Sequence, residues 1–373
     1  MATDALDCLE DPAGTIPQRC DRLVRHVYGA PPAPPEHLAV ATRPWPEAGA
    51  EILTLTMSQA GRRYVVEAAL LLPPGPPGRV PLVVGLGFLG PLGAVEADGF
   101  PRDPHAIVEA TGAGFPDGRL VPAMRGVHAS RWPRETLHRA GAALLLACYG
   151  SFTPDDPHAA FAHGVAPLMG VGDGLHRPGA IALWAWGYSR LVDAALARPE
   201  IDPGRIVIAG HSRLGKAALV AAAQDARIAG VFANNSGCLG ARPSAIRRGE
   251  TPEALAARFP HWVTPAFAAD PRPPEGGDQP DLLAAIAPRR LYVASASEDA
   301  WADPAGERAG LAAAAPAWRA LGCAVPAIDA DAPLVPGDGF RAGPLAWHLR
   351  PGPHDLTPYD WQRALPQLLE PTP

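Results

Sequence analysis

The chain has almost no lysine: of its 32 basic residues only Lys216 is lysine, and the other 31 are arginine. Cysteine is scarce too. Cys8, Cys20, Cys148, Cys238 and Cys323 are odd in number and scattered, with no CxxC or mixed Cys/His spacing, so neither a disulfide framework nor a zinc site is expected. No run reaches the roughly 18 apolar residues of a membrane-crossing helix. Residues 1–25 carry acidic side chains and no apolar stretch, so no secretory signal is expected and the product as written is expected in the cytoplasm. With a net charge of −6 and no basic block, nucleic acid is not an expected partner, nor is a membrane, and no metal or cofactor motif is present.

Proline and glycine are abundant instead, 46 and 39 residues, but they cluster in connections such as 72–78, which suggests rigid loops around a regular scaffold. Residues 1–48 read as a lead-in segment, a short helix and then extended chain. Residues 49–373 read as a single catalytic domain. Glu51–Met57 and Arg62–Leu72 suggest a hairpin, and Val80–Gly85 a buried strand. Residues 91–128 form a long irregular stretch, of a length that usually signals function. Beyond it strand and helix alternate. Ser130 is placed to cap a helix over Arg131–Ala140, Ala142–Tyr149 is a strand, and Gly179–Arg198 is an amphipathic helix. Arg205–Ala209, Ile228–Ala233, Arg290–Ser295 and Leu345–Leu349 are further strands, with helices over Leu214–Ala223, Pro304–Leu321 and Tyr359–Leu369 and an insertion at 238–280. The fold class expected is α/β, a mostly parallel central sheet covered on both faces.

The one lysine closes the segment Ile206-Val-Ile-Ala-Gly-His-Ser-Arg-Leu-Gly-Lys216. A β-branched strand, a Gly-flanked turn and an Ala-rich helix are the setting of a nucleophile elbow, in which a tight turn exposes a serine hydroxyl at a helix N-terminus. Ser212 is the candidate nucleophile. Leu214 stands where the simple GxSxG pattern has glycine. A serine nucleophile needs a base, and the base needs an orienting acid, in the chain order serine, acid, histidine on this fold. Asp299 follows the strand ending at Ser295, with Glu298 beside it as the alternative acid. His354 follows the last strand, with His348 inside that strand as its rival. All three chosen groups leave the carboxyl ends of strands, where open α/β sheets place ligands. His211 reads as a structural neighbour of the elbow. Trp301 suits either a core position or stacking on a sugar face.

These residues resemble the glucuronoyl esterases, carbohydrate esterase family fifteen, especially its bacterial members. The resemblance runs through Gly85-Leu-Gly-Phe-Leu-Gly90, Arg125–Pro133, Gly179–Gly187, Gly210–Lys216, Asn234-Asn-Ser-Gly-Cys238, Phe259-Pro-His-Trp262, Ser297–Pro304 and His354–Trp361, most of residues 80–365. It implies an α/β-hydrolase fold, no metal, and cleavage of esters between 4-O-methylglucuronate and lignin alcohols in lignocellulose. Carried over by motif, Ser212 is the nucleophile, His354 the base, and Arg213 part of the oxyanion site. Lys216 binds glucuronate hydroxyls, and Trp301 lies near the sugar 4-position. Three departures matter. Pro91-Leu-Gly-Ala94 replaces an Asn-His-Thr stretch common in the family, which bears on the local pocket. Asn235 occupies the position of the fungal-type triad glutamate, so the acid must be Asp299 or Glu298. The family is usually exported, so a soluble uronate ester or oligosaccharide fragment suits a cytoplasmic product better than polymer.

The mechanism expected is a two-step serine ester hydrolysis, with product acid held near Arg213 and Lys216. A general carboxylesterase or acetyl esterase would use the same triad. A sugar-binding homologue that has lost its acid is the alternative from a different class. Oligomeric state and the alcohol half of the substrate are not legible.

Overall fold

The computed structural model describes residues 14–75, 78–108, 117–325 and 327–370. Cys8, the start of the lead-in, parts of the 72–78 connection and of the 91–128 stretch lie outside the described residues. Ten strands form one sheet in the order β1-β2-β3-β5-β4-β6-β7-β8-β10-β9. They are β1 His37–Trp45, β2 Ala50–Gln59, β3 Arg62–Leu71, β4 Val80–Gly87, β5 Ala143–Cys148, β6 Ile201–His211, β7 Gly230–Asn234, β8 Arg290–Ala296, β9 Gly339–Ala342 and β10 Leu345–Arg350. The six central strands, β5 to β10 in that order, run parallel, while β1, β2, β3 and β9 pair antiparallel at the margins.

The central strands read as unbroken apolar runs because both of their faces are covered. Leu82, Val84, Ile206, Ile208, Val231 and Val293 pack on one face with the Ala180–Leu196 and Arg213–Gln224 helices. Val83, Val207, Phe232 and Tyr292 pack on the other with Trp132, Trp361 and Leu365. Successive strand residues thus serve opposite layers.

The short helix and extended chain expected in the lead-in are Ile16–Leu23 and β1: β1 pairs with β2 along its whole length, and the helix buries Ile16, Cys20 and Leu23 in the main core. Two expectations need correction. Ser130 caps no helix, because Ala129–Arg131 is a 3-10 turn and the helix begins at Arg134 after Pro133. The Ala180–Leu196 helix is not amphipathic in effect; it is buried nearly all round, as a central helix between layers must be.

The long helix Pro304–Ala320 lies hard against the insertion, since a Cβ on Gly310 would sit 1.8 Å from the Ala241 carbonyl oxygen. Gly310→Ala should therefore cost about 1–3 kcal/mol of stability or more, seen as a lower urea midpoint at constant slope. An unchanged midpoint would mean the helix stands off.

Candidate active site

β6 ends at His211 and the next helix starts at Arg213, so the whole reversal falls on Ser212, at φ 59° and ψ −126°. A non-glycine residue there carries strain of about 1–3 kcal/mol and persists only where its surroundings hold it. Ser212 N–H donates to the Asn234 carbonyl of β7 (2.8 Å), and its own carbonyl accepts from Gly215 (2.9 Å) and Lys216 (3.2 Å). The irregular motif has a steric origin. A Cβ on Gly210 would lie 2.0 Å from the Leu214 oxygen, and one on Gly215 3.1 Å from Ser236 Cβ. The tight contact behind the elbow falls at 215, one residue late, which leaves 214 for a buried leucine.

The parallel strands β8 and β10 stay tied beyond the sheet. Ser297 N–H donates to Arg350 O (2.9 Å), Glu298 N–H to Gly352 O (3.0 Å), and Gly352 N–H to Ser297 Oγ (3.1 Å). The Arg350 guanidinium donates to the carbonyls of Pro351, Pro353 and Asp355, and Arg131 pairs with the Asp355 carboxylate at 2.7 Å. Held on both sides, His354 places Nδ1 2.5 Å from Asp299 Oδ2. The second Asp299 oxygen accepts the Ala302 N–H at 3.1 Å. Burial pushes the Asp299 carboxyl up, but the His354 hydrogen bond and charge, the Ala302 N–H and Lys216 together bring it below its ordinary value. Glu298 is the correction to the sequence reading: its backbone joins the same ladder, but it is exposed, whereas Asp299 is buried against the ring. His348 is buried between Tyr292 (3.0 Å) and Asp360 (2.9 Å), a core residue of β10. His211 lies under the base, ring centroids 4.5 Å apart, and bonds Asn234. Burial first, and the charges of His354 and Arg131 next, hold it well below its ordinary pKa and therefore neutral.

Ser212, Asp299 and His354 line one cleft of about 310 Å³ together with Arg213, Lys216, Asn235 and Trp301. Trp301 is half exposed there and not a core residue. The insertion contributes Glu250, Arg258, Phe259 and Trp262, the last two stacked at 3.8 Å. Lys216 departs from expectation. Its ammonium is buried and already donates to Ser236 O (2.7 Å), Cys238 O (2.5 Å) and Glu250 Oε2 (3.3 Å), which engages all three of its protons. Asn235 is buried on the cleft wall, and its side-chain amide makes no hydrogen bond among the described residues.

Three acidic residues of this site gave no signal in the sequence. Asp155, wholly buried, accepts from Arg213 and Tyr149 on one oxygen and from His261 (2.8 Å) and Trp262 (2.7 Å) on the other. Burial would raise its pKa, but Arg213, His261 and Trp262 outweigh that and hold it well below the carboxylate range. Arg213 is thereby fixed with its guanidinium over Trp262 and Phe88. Glu250 pairs with Lys216. Glu307 clips the ends of β7 and β8 together, accepting from Ser236 Oγ, Gly237 N–H and Ser295 Oγ at 2.7–3.0 Å. Burial pushes its carboxyl up to about 7 against the pull of those donors. Among the described residues no group of three or more His, Cys, Asp or Glu could hold a metal ion, and no helix is long and apolar enough to cross a membrane.

A serine on a strained turn at the C-terminal edge of a parallel sheet, sharing a cleft with an imidazole–carboxylate pair, defines the class: an α/β-hydrolase of the carboxylic ester type. Within that class the chain belongs to the glucuronoyl esterase family. Residues 172–322 match the family model described as glucuronyl esterase, fungi. The chain is 32% identical over 302 residues to carbohydrate esterase MZ0003 from an unidentified prokaryote, across 79% of this chain and 69% of that one. It is 34% identical to 4-O-methyl-glucuronoyl methylesterase 1 of Sodiomyces alcalophilus, but over 39% of this chain and about a third (32%) of that relative. A glucuronoyl esterase structure from Solibacter usitatus superposes with a TM-score of 0.85 at 32% identity, covering 95% of this chain and 91% of that one.

Because the Asp155 carboxyl is held below its unfolded value, it contributes stability above about pH 4 that is lost as pH falls below that. Asp155→Asn should cost about 3–5 kcal/mol near neutrality by removing the carboxylate that faces the buried Arg213 guanidinium. The gap from the parent should narrow at about pH 3 in urea titrations; a gap independent of pH would contradict the pairing.

Proposed function

We propose that the protein hydrolyses esters of glucuronate, with or without a 4-O-methyl group, by an acyl-enzyme mechanism. The observation that carries this reading is the 2.5 Å bond from His354 Nδ1 to Asp299 in the cleft that also holds Ser212. With Nδ1–H given to Asp299, Nε2 is the basic nitrogen. It takes the Ser212 proton as Oγ attacks the C6 carbonyl of the uronate ester. The buried anion stabilises the imidazolium that forms and stays ionised itself. Arg213 opens the helix behind the elbow, so its N–H and an N–H from the Leu86–Gly90 loop face the developing oxyanion, each worth about 3–4 kcal/mol in related chemistry. The alcohol leaves with the proton from His354, and water attacks the acyl-enzyme through the same base.

Trp301, half exposed at the cleft, suits the apolar face of the sugar ring. Lys216 acts with Glu250 as a hydrogen-bonded pair, so it is Glu250, Ser236 and the backbone caging the ammonium that shape the sugar subsite. A soluble ester or oligosaccharide fragment is the substrate proposed.

A broader esterase is the second reading, supported by a marine metagenome relative, described as a promiscuous esterase of this family, that superposes with a TM-score of 0.80 at 28% identity. Turnover of benzyl glucuronate should exceed that of 4-nitrophenyl acetate in kcat/KM by about tenfold or more; the reverse order would favour the broader reading. Asp299→Asn should lower kcat by about 10²–10⁴-fold with little change in KM, and Glu298→Gln should stay near the parent. Equal, mild effects from the two would remove Asp299 from the mechanism.

A further inference from the structure

We propose that His211 is a positioning residue for the hydrolysis: anchored by Asn234, its ring is the uncharged floor that fixes the plane of the His354 imidazole and so aims Nε2 at Ser212. This rests on the acyl-enzyme reading above and gives a role to a buried imidazole that takes no part in the proton transfers.

The base needs a second contact. Asp299 holds His354 at Nδ1, and a ring held by one hydrogen bond can still swing about that bond. The His354 side chain is 40% exposed, so the cleft side does not restrain it. Beneath it lies His211, with ring centroids 4.5 Å apart and planes inclined at 41°, and Phe88 meets the His211 ring edge to face at 6.0 Å. His211 is wedged between Phe88 and the base, where it blocks the inward swing of His354.

One residue of β7 anchors both the floor and the nucleophile. Asn234 lies opposite His211 in the sheet and accepts its Nδ1–H on the side-chain oxygen at 2.5 Å. The Asn234 carbonyl accepts the N–H of Ser212, the next residue, at 2.8 Å. The ring under the base and the hydroxyl the base must reach are thus fixed to the same point.

The hydrogen-bond partner of His211 also sets its charge. Among the described residues the other two buried histidines each meet a carboxylate, His261 at Asp155 (2.8 Å) and His348 at Asp360 (2.9 Å), and the base meets Asp299. His211 meets an amide, whose oxygen has no negative charge with which to hold a second ring proton. Burial first, then the charges of His354, Arg131 and Arg350, oppose that proton as well. A positive floor would repel the imidazolium formed when His354 takes the Ser212 proton, and a neutral floor leaves that step unopposed.

The test follows benzyl glucuronate hydrolysis, phosphonylation of Ser212 by a nitrophenyl phosphonate, and histidine nitrogen NMR in the parent, His211→Ala and His211→Phe. His211→Ala removes the floor and should lower kcat and the phosphonylation rate about 10–100-fold, with KM within about threefold of the parent. Its His354 Nδ1–H signal should broaden or move upfield. His211→Phe restores a flat ring without nitrogens and should bring both rates to within about fivefold of the parent, together with the signal. In the parent, His211 should stay neutral with its proton on Nδ1 from about pH 5 to about pH 9.

Parent-like rates in His211→Ala, equal losses in the two variants, or a His354 signal unmoved in His211→Ala would each overturn the assignment. So would a parent His211 that is protonated at about pH 7 or carries its proton on Nε2; should neither variant fold, this spectrum decides by itself. A parent Ser212 inert to both ester and phosphonate would overturn the acyl-enzyme reading and this assignment together. Rapid phosphonylation without glucuronate turnover would overturn the uronate reading alone, and the phosphonylation rates of the variants would then decide on His211.

Discussion

The site depends on the parallel pairing of β8 with β10. That register sets Arg350 opposite Ala296, and the ladder continues into the loops through the Ser297 and Glu298 amides. Two connections that would otherwise move independently become one rigid ledge, with the acid on one strand's exit and the base on the other's. A catalytic hydrogen bond requires positioning within a fraction of an ångström, and packed strands provide that where free loops do not. The turn after β8, closed by the Asp299 N–H on the Ala296 carbonyl (3.1 Å), carries Asp299 inward and leaves Glu298 outward.

Around this ledge the protein places its charges in buried pairs, each of which costs desolvation that its hydrogen bonds offset. Asp155 fills both oxygens, Lys216 all three protons, and Arg350 holds the His354 loop by carbonyls. Such a network has one arrangement and resists small rearrangements. The strain at Ser212 sits inside it, stabilised by the strand before and the helix after.

What the sequence disclosed and what it hid follow from range. Ser212, Asp299 and His354 were legible because each follows an apolar strand directly, a local pattern. The β1 strand was missed because it is an edge with most of its residues solvent-facing, and only Leu38 and Val40 alternate inward before the pattern lapses. Asp155, Glu250 and Glu307 were missed because each is defined by partners 58, 34 and 71 positions away. Lys216 was noticed for its rarity, yet its surroundings, and so its role, could be seen only when Glu250 was brought against it. The choice between Asp299 and Glu298 turned on side-chain direction after a strand end, which composition does not encode.

The central claim is that the imidazole of His354 is held by Asp299 through Nδ1. The most direct measurement is proton and nitrogen NMR of the protein labelled at histidine. His354 should show a strongly downfield Nδ1–H signal that survives Glu298→Gln and vanishes or moves upfield in Asp299→Asn. A His354 proton resident on Nε2, or an Nδ1–H signal unmoved by Asp299→Asn, would contradict it.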